Sequence, residues 1–449
     1  MTVCAPPASF PISVQTLIVG AGACGLIAAL SAHEAGQQVL VVERDPVPSG
    51  STALSAGLIP AAGTAIQRAA GIDDTPARFA ADIQAKADGE NDPALVALLA
   101  EGAGDVIDWL VRDHGLPFSL VDDFDYPGHA RRRMHGLPSR SGRELVDALR
   151  AACEAEGIDI LCDTRADRLY ADGPRVRGIS TLRGDMREDI GCDRLILACN
   201  GYGGNRARVA RHMPDIEGAL WFGHDGNTGD ALDWGEALGA QTRHLGAYQG
   251  HGNVAHPHGI LITWATMTAG GIQLNAAGQR FHDESHGYSE AARAVLAQPG
   301  GTAVSVFDAR IAAIARQFQD FRDAEAQGAI KTAGSLADLA VAFKLPADAL
   351  AATVAACHKG ADPFGRTFDI PPLAAPFHGV RVTGALFHTQ GGLVVGADAR
   401  VLDAADAPFP NLYAAGGAAC GVSGAGDAGY LSGNGLLAAV VLGRIAGLG

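Results

Sequence analysis

The stretch Thr16–Arg44, TLIVGAGACGLIAALSAHEAGQQVLVVER, decides how the rest of the chain is read. Leu17, Ile18 and Val19 form a short, uniformly apolar run, the pattern of a strand buried on both faces of a parallel sheet. The run feeds directly into Gly20-Ala21-Gly22-Ala23-Cys24-Gly25. Gly20 permits a tight turn, Gly22 lets the backbone approach a pyrophosphate, and Gly25 lets the following helix, 26–34, pack close to the sheet. The start of that helix presents unpaired N–H groups and the positive end of its dipole to the phosphates. Gly36 ends the helix, residues 38–42 make a second strand, and Glu43 stands at the spacing of an acid that holds ribose hydroxyls. A carboxylate there argues against a 2′-phosphate, which an arginine would serve. The unit predicts an α/β dinucleotide-binding domain with Gly20, Gly22, Ala23, Cys24, Gly25, Glu43 and Arg44 at the nucleotide. Only one such glycine turn has this context, so no separate nicotinamide site is expected.

Working outward, residues 49–63, SGSTALSAGLIPAAG, offer small residues and hydroxyls where the backbone would pass a flat ring system. Ser51, Thr52 and Ser55 can bond phosphate or ring atoms, and Gly50, Ala56 and Gly57 belong to the same stretch; a solvated glycine loop is the plainer alternative. Residues 76–113 read as helical scaffold. Residues 124–143 are broken by Pro127, Gly128, Gly136 and Pro138, and carry Tyr126, His129, Arg131, Arg132, Arg133 and His135. That basic patch is either a solvated loop or a place where one arginine holds a substrate carboxylate. A helix over 141–156 precedes a strand over 159–170, in which Thr164-Arg165-Ala166 can pass an adenine. Strands over 176–181 and 189–199 follow, the second running into Asn200-Gly201 at the carboxyl edge of the sheet, where open α/β sheets bind ligands. Asp230 opens the next helix and could serve simply as its cap.

A net charge of −15 over 449 residues speaks against nucleic acid or an anionic membrane as partner, since both require a basic face. The eight cysteines show no CxxC, CxxCH or four-cysteine run, so attached haem, an iron–sulfur cluster and a disulfide framework are not expected. No metal site is expected either: His251, His256 and His258 read as part of a glycine-proline loop. The first 15 residues lack the pattern of a secretion signal, and the apolar end, 436–449, is too short to span a bilayer. A cytoplasmic protein is the expectation.

The dinucleotide unit, the 49–63 loop, the turn and helix NTGDALDWGEALGA from Asn227, and above all the last 70 or so residues resemble the FAD-dependent fumarate reductase and 3-ketosteroid dehydrogenase flavoproteins. The resemblance implies a Rossmann-like FAD-binding domain interrupted by an α+β cap: 1–245 and 372–449 for the first, 246–371 for the second. It implies cap strands over 260–267 and 271–274, and helices near 289–297, 308–324 and 347–357. GGIQLNAAGQRFHDES, 270–285, looks like the family's cap hairpin, and FHTQGG, 387–392, like its turn beside the flavin. LYAAGG, 412–417, and YLSGNGLL, 430–437, look like the last flavin-contacting strand and helix, which adds Gly416, Leu431, Ser432, Asn434 and Leu436 to the cofactor contacts. The histidine by which some members attach FAD has no counterpart among Thr52, Ala53 and Leu54, so binding is expected to be noncovalent.

The departures point to the substrate. C4-dicarboxylate members use an arginine acid after the cap hairpin and a second arginine in a GANR turn; here Tyr288 and Ala425-Gly426-Asp427-Ala428 stand near those places. Tyr288 looks like the cap tyrosine of ketosteroid dehydrogenases, and Tyr430-Leu431-Ser432 like the Tyr-x-Ser of the Δ4-(5α) members. Either tyrosine could instead be a packed amphipathic ring. The implied activity is α,β-desaturation of a cyclic ketone, whether a 3-ketosteroid or a smaller ring such as an oxocyclohexanecarboxylate, with electrons passed to an external acceptor: dye, quinone, oxygen or carrier protein. A base takes the α-hydrogen and FAD N5 takes hydride from the β-carbon. Tyr288 is the expected base, with His286, His388 and Tyr126 as relay candidates, and Tyr430 or Ser432 with a backbone N–H as the oxyanion donors. A dicarboxylate oxidoreductase, its charges supplied by Arg131–Arg133 or Arg280, and a non-catalytic flavin-binding partner subunit are the alternatives.

Overall fold

The computed structural model describes residues 2–122, 124–358 and 361–449. Ile12–Val19 lies inside a parallel array, with Val39–Val42 on one side and residues 190–197 of Met186–Leu197 on the other. Asp159–Leu161 extends the array beyond Val39–Val42, and residues 412–414 of Pro408–Ala414 lie parallel to 195–197. Leu17, Ile18, Val41 and Leu195–Leu197 are fully buried because helices cover the sheet. One of these is Ala23–Glu34, apolar all round and buried from Ala23 to Ala32, as a helix between a sheet and a second helix must be. The second helix is the last in the chain, Asn434–Leu448. Its small residues permit the contact: a Cβ added at Gly447 would stand 2.4 Å from the Ala28 carbonyl oxygen. Gly25 is equally constrained, since a Cβ there would meet the Gly20 carbonyl oxygen at 1.8 Å.

The strand expected over 159–170 is two strands. Asp163 takes a left-handed conformation (φ 53°), and the backbone switches from pairing with Val39–Val42 to a meander built of Arg165–Asp172, Arg175–Arg183 and Met186–Leu197. The helical scaffold is likewise two helices, Pro76–Lys86 and Pro93–Arg112, each opened by a capping side chain (Thr75, Asp92) and a first-turn proline.

A second sheet is organised by the 13-residue strand Phe377–Thr389. It pairs antiparallel with Tyr248–Ala255, Thr302–Asp308 and Ile330–Ala333, and parallel with Leu220–Trp221. The second sheet therefore runs past residue 371, and its longest strand delivers His388 and Thr389 to the cavity beside the glycine turn. Several local expectations change for identifiable reasons. Of 260–267 only Ile260–Leu261 is strand; Thr263 and Thr266 hydroxyls then bond backbone groups and wind Ala265–Thr268 into a short helix. Ile272–Leu274 pairs with Thr302–Asp308 rather than with a returning hairpin arm. The helix expected over 308–324 breaks into Ala309–Ala315 and Gln319–Ala326. Asp230 does not cap its helix: Gly229 does, with φ 91°, and Asp230 is the first helical residue, accepting from the Thr228 hydroxyl at 2.8 Å.

Among the described residues no helix is long and apolar enough to cross a membrane, and no group of three or more His, Cys, Asp or Glu side chains could hold a metal ion.

Candidate active site

A long cavity runs from the glycine turn to the second sheet. At the turn end, Gly22 caps Ala23–Glu34 without a side chain, which leaves first-turn amides for an anion. Glu43 is buried, with Oε2 accepting from the Ala21 N–H at 2.7 Å and Oε1 from the Asp45 N–H at 3.0 Å. Burial pushes its carboxyl up and these two bonds oppose the shift. Arg44 and Ala166 also line this end. The hydroxyls of 49–63 are engaged by the protein itself: Thr52 Oγ1 accepts from the Ala23 N–H at 3.2 Å, Ser51 Oγ accepts from Asn227 Nδ2 at 2.7 Å, and Ser55 Oγ donates to the Thr52 carbonyl at 2.7 Å.

Of the residues expected from sequence to touch cofactor, Gly20, Gly22, Ala23, Cys24, Glu43 and Arg44 line the cavity, as do Gly50, Ser51, Thr52, Ser55, Ala56 and Gly57. Ala166, Asn200, Asp230, Gly416, Ser432 and Leu436 line it too. Gly25, Gly201, Leu431 and Asn434 do not; they lie one layer behind it. Gly25 lets two backbone segments meet and Gly201 makes room for a side chain, a Cβ at Gly201 falling 1.9 Å from Thr389 Oγ1. Leu431 is core, and Asn434 Nδ2 donates to Ser423 Oγ at 3.3 Å.

At the far end the Asn434–Leu448 helix starts on Gly433 (φ 88°), again without a side-chain cap at that position, and Gly433, Gly435 and Leu436 line the cavity. Two buried polar atoms on the wall, Thr389 Oγ1 and the Trp264 indole nitrogen, have no hydrogen-bond partner. Two uncapped helix starts, a buried acid and unpaired polar groups along one elongated cavity fit a dinucleotide carrying a polar ring system.

Beside that helix start an aromatic wall rises from the second sheet. Phe222 stacks on Phe387 (4.7 Å), Phe387 on His251 (5.1 Å) and His251 on Tyr288 (4.7 Å). Tyr430 stands 6.0 Å from Tyr288 and 5.7 Å from His388 between ring centroids. The Tyr288 oxygen faces the hydroxyls of Ser432 and Tyr430 and the Gly433 N–H. Burial pushes its phenol up to about 12, and those three donors pull it back. Burial holds Tyr430 and Tyr126 far above the usual tyrosine range. It lowers His388 to about 4 and His251 to about 3, so both imidazoles are neutral at pH 7.

His251 was missed as a site residue. It belongs to the fully buried strand Tyr248–Ala255, not to a loop, and only the pairing with Phe377–Thr389 places it on the cavity. The one signal in sequence is that YQGHGNVA carries no proline before Pro257. Its Nδ1 accepts from the Asn253 N–H at 3.1 Å, which puts the ring proton on Nε2, toward the cavity.

Other expectations fail. His286 is a solvent-side residue, 72% exposed and paired with Asp283 at 3.5 Å, so it cannot relay protons to Tyr288. Arg133 is buried against Asp74 and Asp82, Arg132 pairs with Asp125 and Arg131 with backbone carbonyls; none of the three lines the cavity. Arg280 is locked between Glu284 and Asp362 and does not line the cavity. Asp427, in the stretch Ala425–Ala428 that stands in place of the GANR turn, accepts a bidentate pair from Arg293 (2.7 and 2.9 Å) on Tyr288–Leu296 and so clamps the helix that carries Tyr288.

Residues 15–436 match the FAD binding domain family. The chain belongs to that family. Its FAD-binding fold is shared with an open-conformation flavocytochrome c3 fumarate reductase (30% identity, TM-score 0.82, 98% of this chain and 78% of that one). It is shared also with the 3-ketosteroid-Δ4-(5α)-dehydrogenase of Rhodococcus jostii RHA1 in complex with 4-androstene-3,17-dione (25%, 0.75, 98% and 97%). The NADH:fumarate oxidoreductase of Klebsiella pneumoniae (strain 342) is 30% identical over 97% of this chain, which spans 47% of that protein's length. FAD is thus the dinucleotide that the cavity fits. With Thr52, Ala53 and Leu54 in the loop and no histidine there, acid precipitation of the yellow protein is expected to leave all FAD in the supernatant; flavin pelleting with the protein would contradict this.

Proposed function

We propose that this chain desaturates a cyclic ketone beside its carbonyl. The observation that carries the reading is the hydroxyl cluster of Tyr288, Tyr430 and Ser432 at an end of the cavity that, among the described residues, is lined by no lysine or arginine. The cationic wall residues, Arg44 and Arg165, belong to the Glu43 end. A dicarboxylate brought to the tyrosines would meet neutral imidazoles and no countercharge.

FAD, when bound, supplies the acceptor for the hydride of the β-carbon. Tyr288 takes the α-proton, and Ser432, Tyr430 and the Gly433 N–H stabilise the phenolate that this requires. This use differs from the oxyanion role expected for Tyr430 and Ser432. The carbonyl oxygen instead takes its donor from His251 Nε2–H, a neutral imidazole suited to polarising a carbonyl without giving up its proton. Tyr126 supports the ring of the substrate as wall, its own ring 4.9 Å from Phe124. His388 is held by Gln390 (Nε2 to Nδ1, 2.9 Å) and packs on Tyr430. Electrons leave to an external quinone, oxygen or carrier protein.

A raised phenol pKa makes the base scarce at neutral pH and more abundant as protons are withdrawn. With Tyr288 near 12, its phenolate fraction grows about tenfold per pH unit. Anaerobic flavin bleaching by a cyclic ketone should therefore accelerate about tenfold per unit from pH 7 to 9; a flat profile argues against a phenolate base. The likeness to fumarate reductases keeps a second reading in play. Bleaching by 3-ketosteroids or cyclohexanones and not by succinate supports the ketone; turnover of fumarate or succinate alone overturns it.

A further inference from the structure

We propose that Asp320 selects the substrate by its far end, taking a hydrogen-bond donor, hydroxyl or ammonium, and rejecting a carboxylate there. The inference rests on the ketone reading and names a feature of its substrate. Asp320 lies in the first turn of Gln319–Ala326 and lines the same cavity as Tyr288. Among the described residues no hydrogen bond or ion pair reaches its carboxylate. The other two acids of that helix are satisfied: Asp323 accepts from Gln319 Nε2 at 2.8 Å, and Glu325 pairs with Arg316 at 2.7 Å.

The wall between Asp320 and the tyrosines is apolar. Tyr126 tilts against Phe124 at 4.9 Å, Phe124 against Phe318 at 5.8 Å, and Phe318 stands two residues before Asp320; Tyr126 and Phe318 both face the cavity. A ligand filling this path is apolar along its body and polar at its tip. A half-buried acid without a partner gains from a donor, and a second carboxylate beside it is repelled. Burial together with neighbouring Asp323 raises the Asp320 carboxyl to about 6, so it is ionised at pH 8.

The test uses FAD-loaded protein at pH 8, with dissociation constants from calorimetry. Two ketone pairs cover two lengths: 4-hydroxycyclohexanone against 4-oxocyclohexanecarboxylate, and 5α-androstan-17β-ol-3-one against 5α-androstane-3,17-dione. Wild type is expected to favour the hydroxyl member of at least one pair by about 10- to 100-fold, the range for hydrogen bonds to charged groups. Asp320→Asn and Asp320→Ser should each bring that pair toward equality while melting temperature stays put. An unchanged preference in both variants, or none in wild type, overturns the inference. Flavin bleaching by the same compounds is followed in parallel. Ketones that bleach the flavin with an unchanged ranking remove Asp320 alone. Ketones that bind in the Asp320-dependent order but never bleach it remove the desaturation chemistry and leave Asp320 as the recognition group.

Discussion

Tyr288→Phe should slow anaerobic flavin reduction by a cyclic ketone by about 10²–10⁴-fold, the usual worth of a general base. The substitution keeps the ring that stacks on His251 and packs near Trp264, and removes only the oxygen that faces Ser432, Tyr430 and the Gly433 N–H. FAD content should stay the same, because Tyr288 reaches the site from the helix Tyr288–Leu296 rather than from the glycine turn or the Gly433 helix start. Stability should fall by about 1 kcal/mol or less, the net worth of an ordinary hydrogen bond. The expected slope of rate against pH should disappear with the hydroxyl. A variant that reduces its flavin at the wild-type rate takes Tyr288 out of the chemistry and leaves it as a packed ring.

The second large effect is on folding. Arg133→Ala should cost about 3–5 kcal/mol in chemical denaturation, the range for removing one partner of a buried ion pair. The Arg133 guanidinium is fully buried over Phe79, with Asp74 at 2.9 Å and Asp82 at 2.6 Å, and the variant would leave both carboxylates without their countercharge. The loss also reaches the site: Arg133 contacts His129 Nδ1 at 3.4 Å, and His129 Nε2 meets the Ser432 carbonyl at 3.0 Å. Arg131→Ala, on the exposed side of the same loop, should change stability by no more than about 0.5 kcal/mol. Had Arg133 been the residue that holds a substrate carboxylate, its loss would raise KM for 4-oxocyclohexanecarboxylate and leave the denaturation midpoint alone. That outcome would refute the structural role.

The nucleotide half was legible because its signal is local. From Leu17 to Glu43 the strand, turn, helix and acid are contiguous, and each glycine answers to a backbone only a few residues away or to one strand beside it. The cofactor class and the absence of an attachment histidine could be read from the same short stretches. Contact with the cofactor was harder to separate from support of it. Gly25, Gly201, Leu431 and Asn434 share motifs with cavity residues and yet sit behind them, since a motif records which residues are close in the chain and not which layer each occupies.

From the sequence came the dinucleotide fold and, through the family resemblance, FAD as the cofactor and Tyr288 near the place of the arginine acid. Only the packing of distant segments sets which polar and charged side chains line the cavity. His251 comes to the cavity because residues 248–255 pair with residues 382–389, more than a hundred positions away. Arg133 is neutralised by Asp74 and Asp82, and Arg280 by Glu284 and Asp362, whereas among the described residues no cation pairs with Asp320. Strand and turn propensities act over a few residues, but burial and pairing, which set the charge and availability of a side chain, depend on whatever the fold brings beside it.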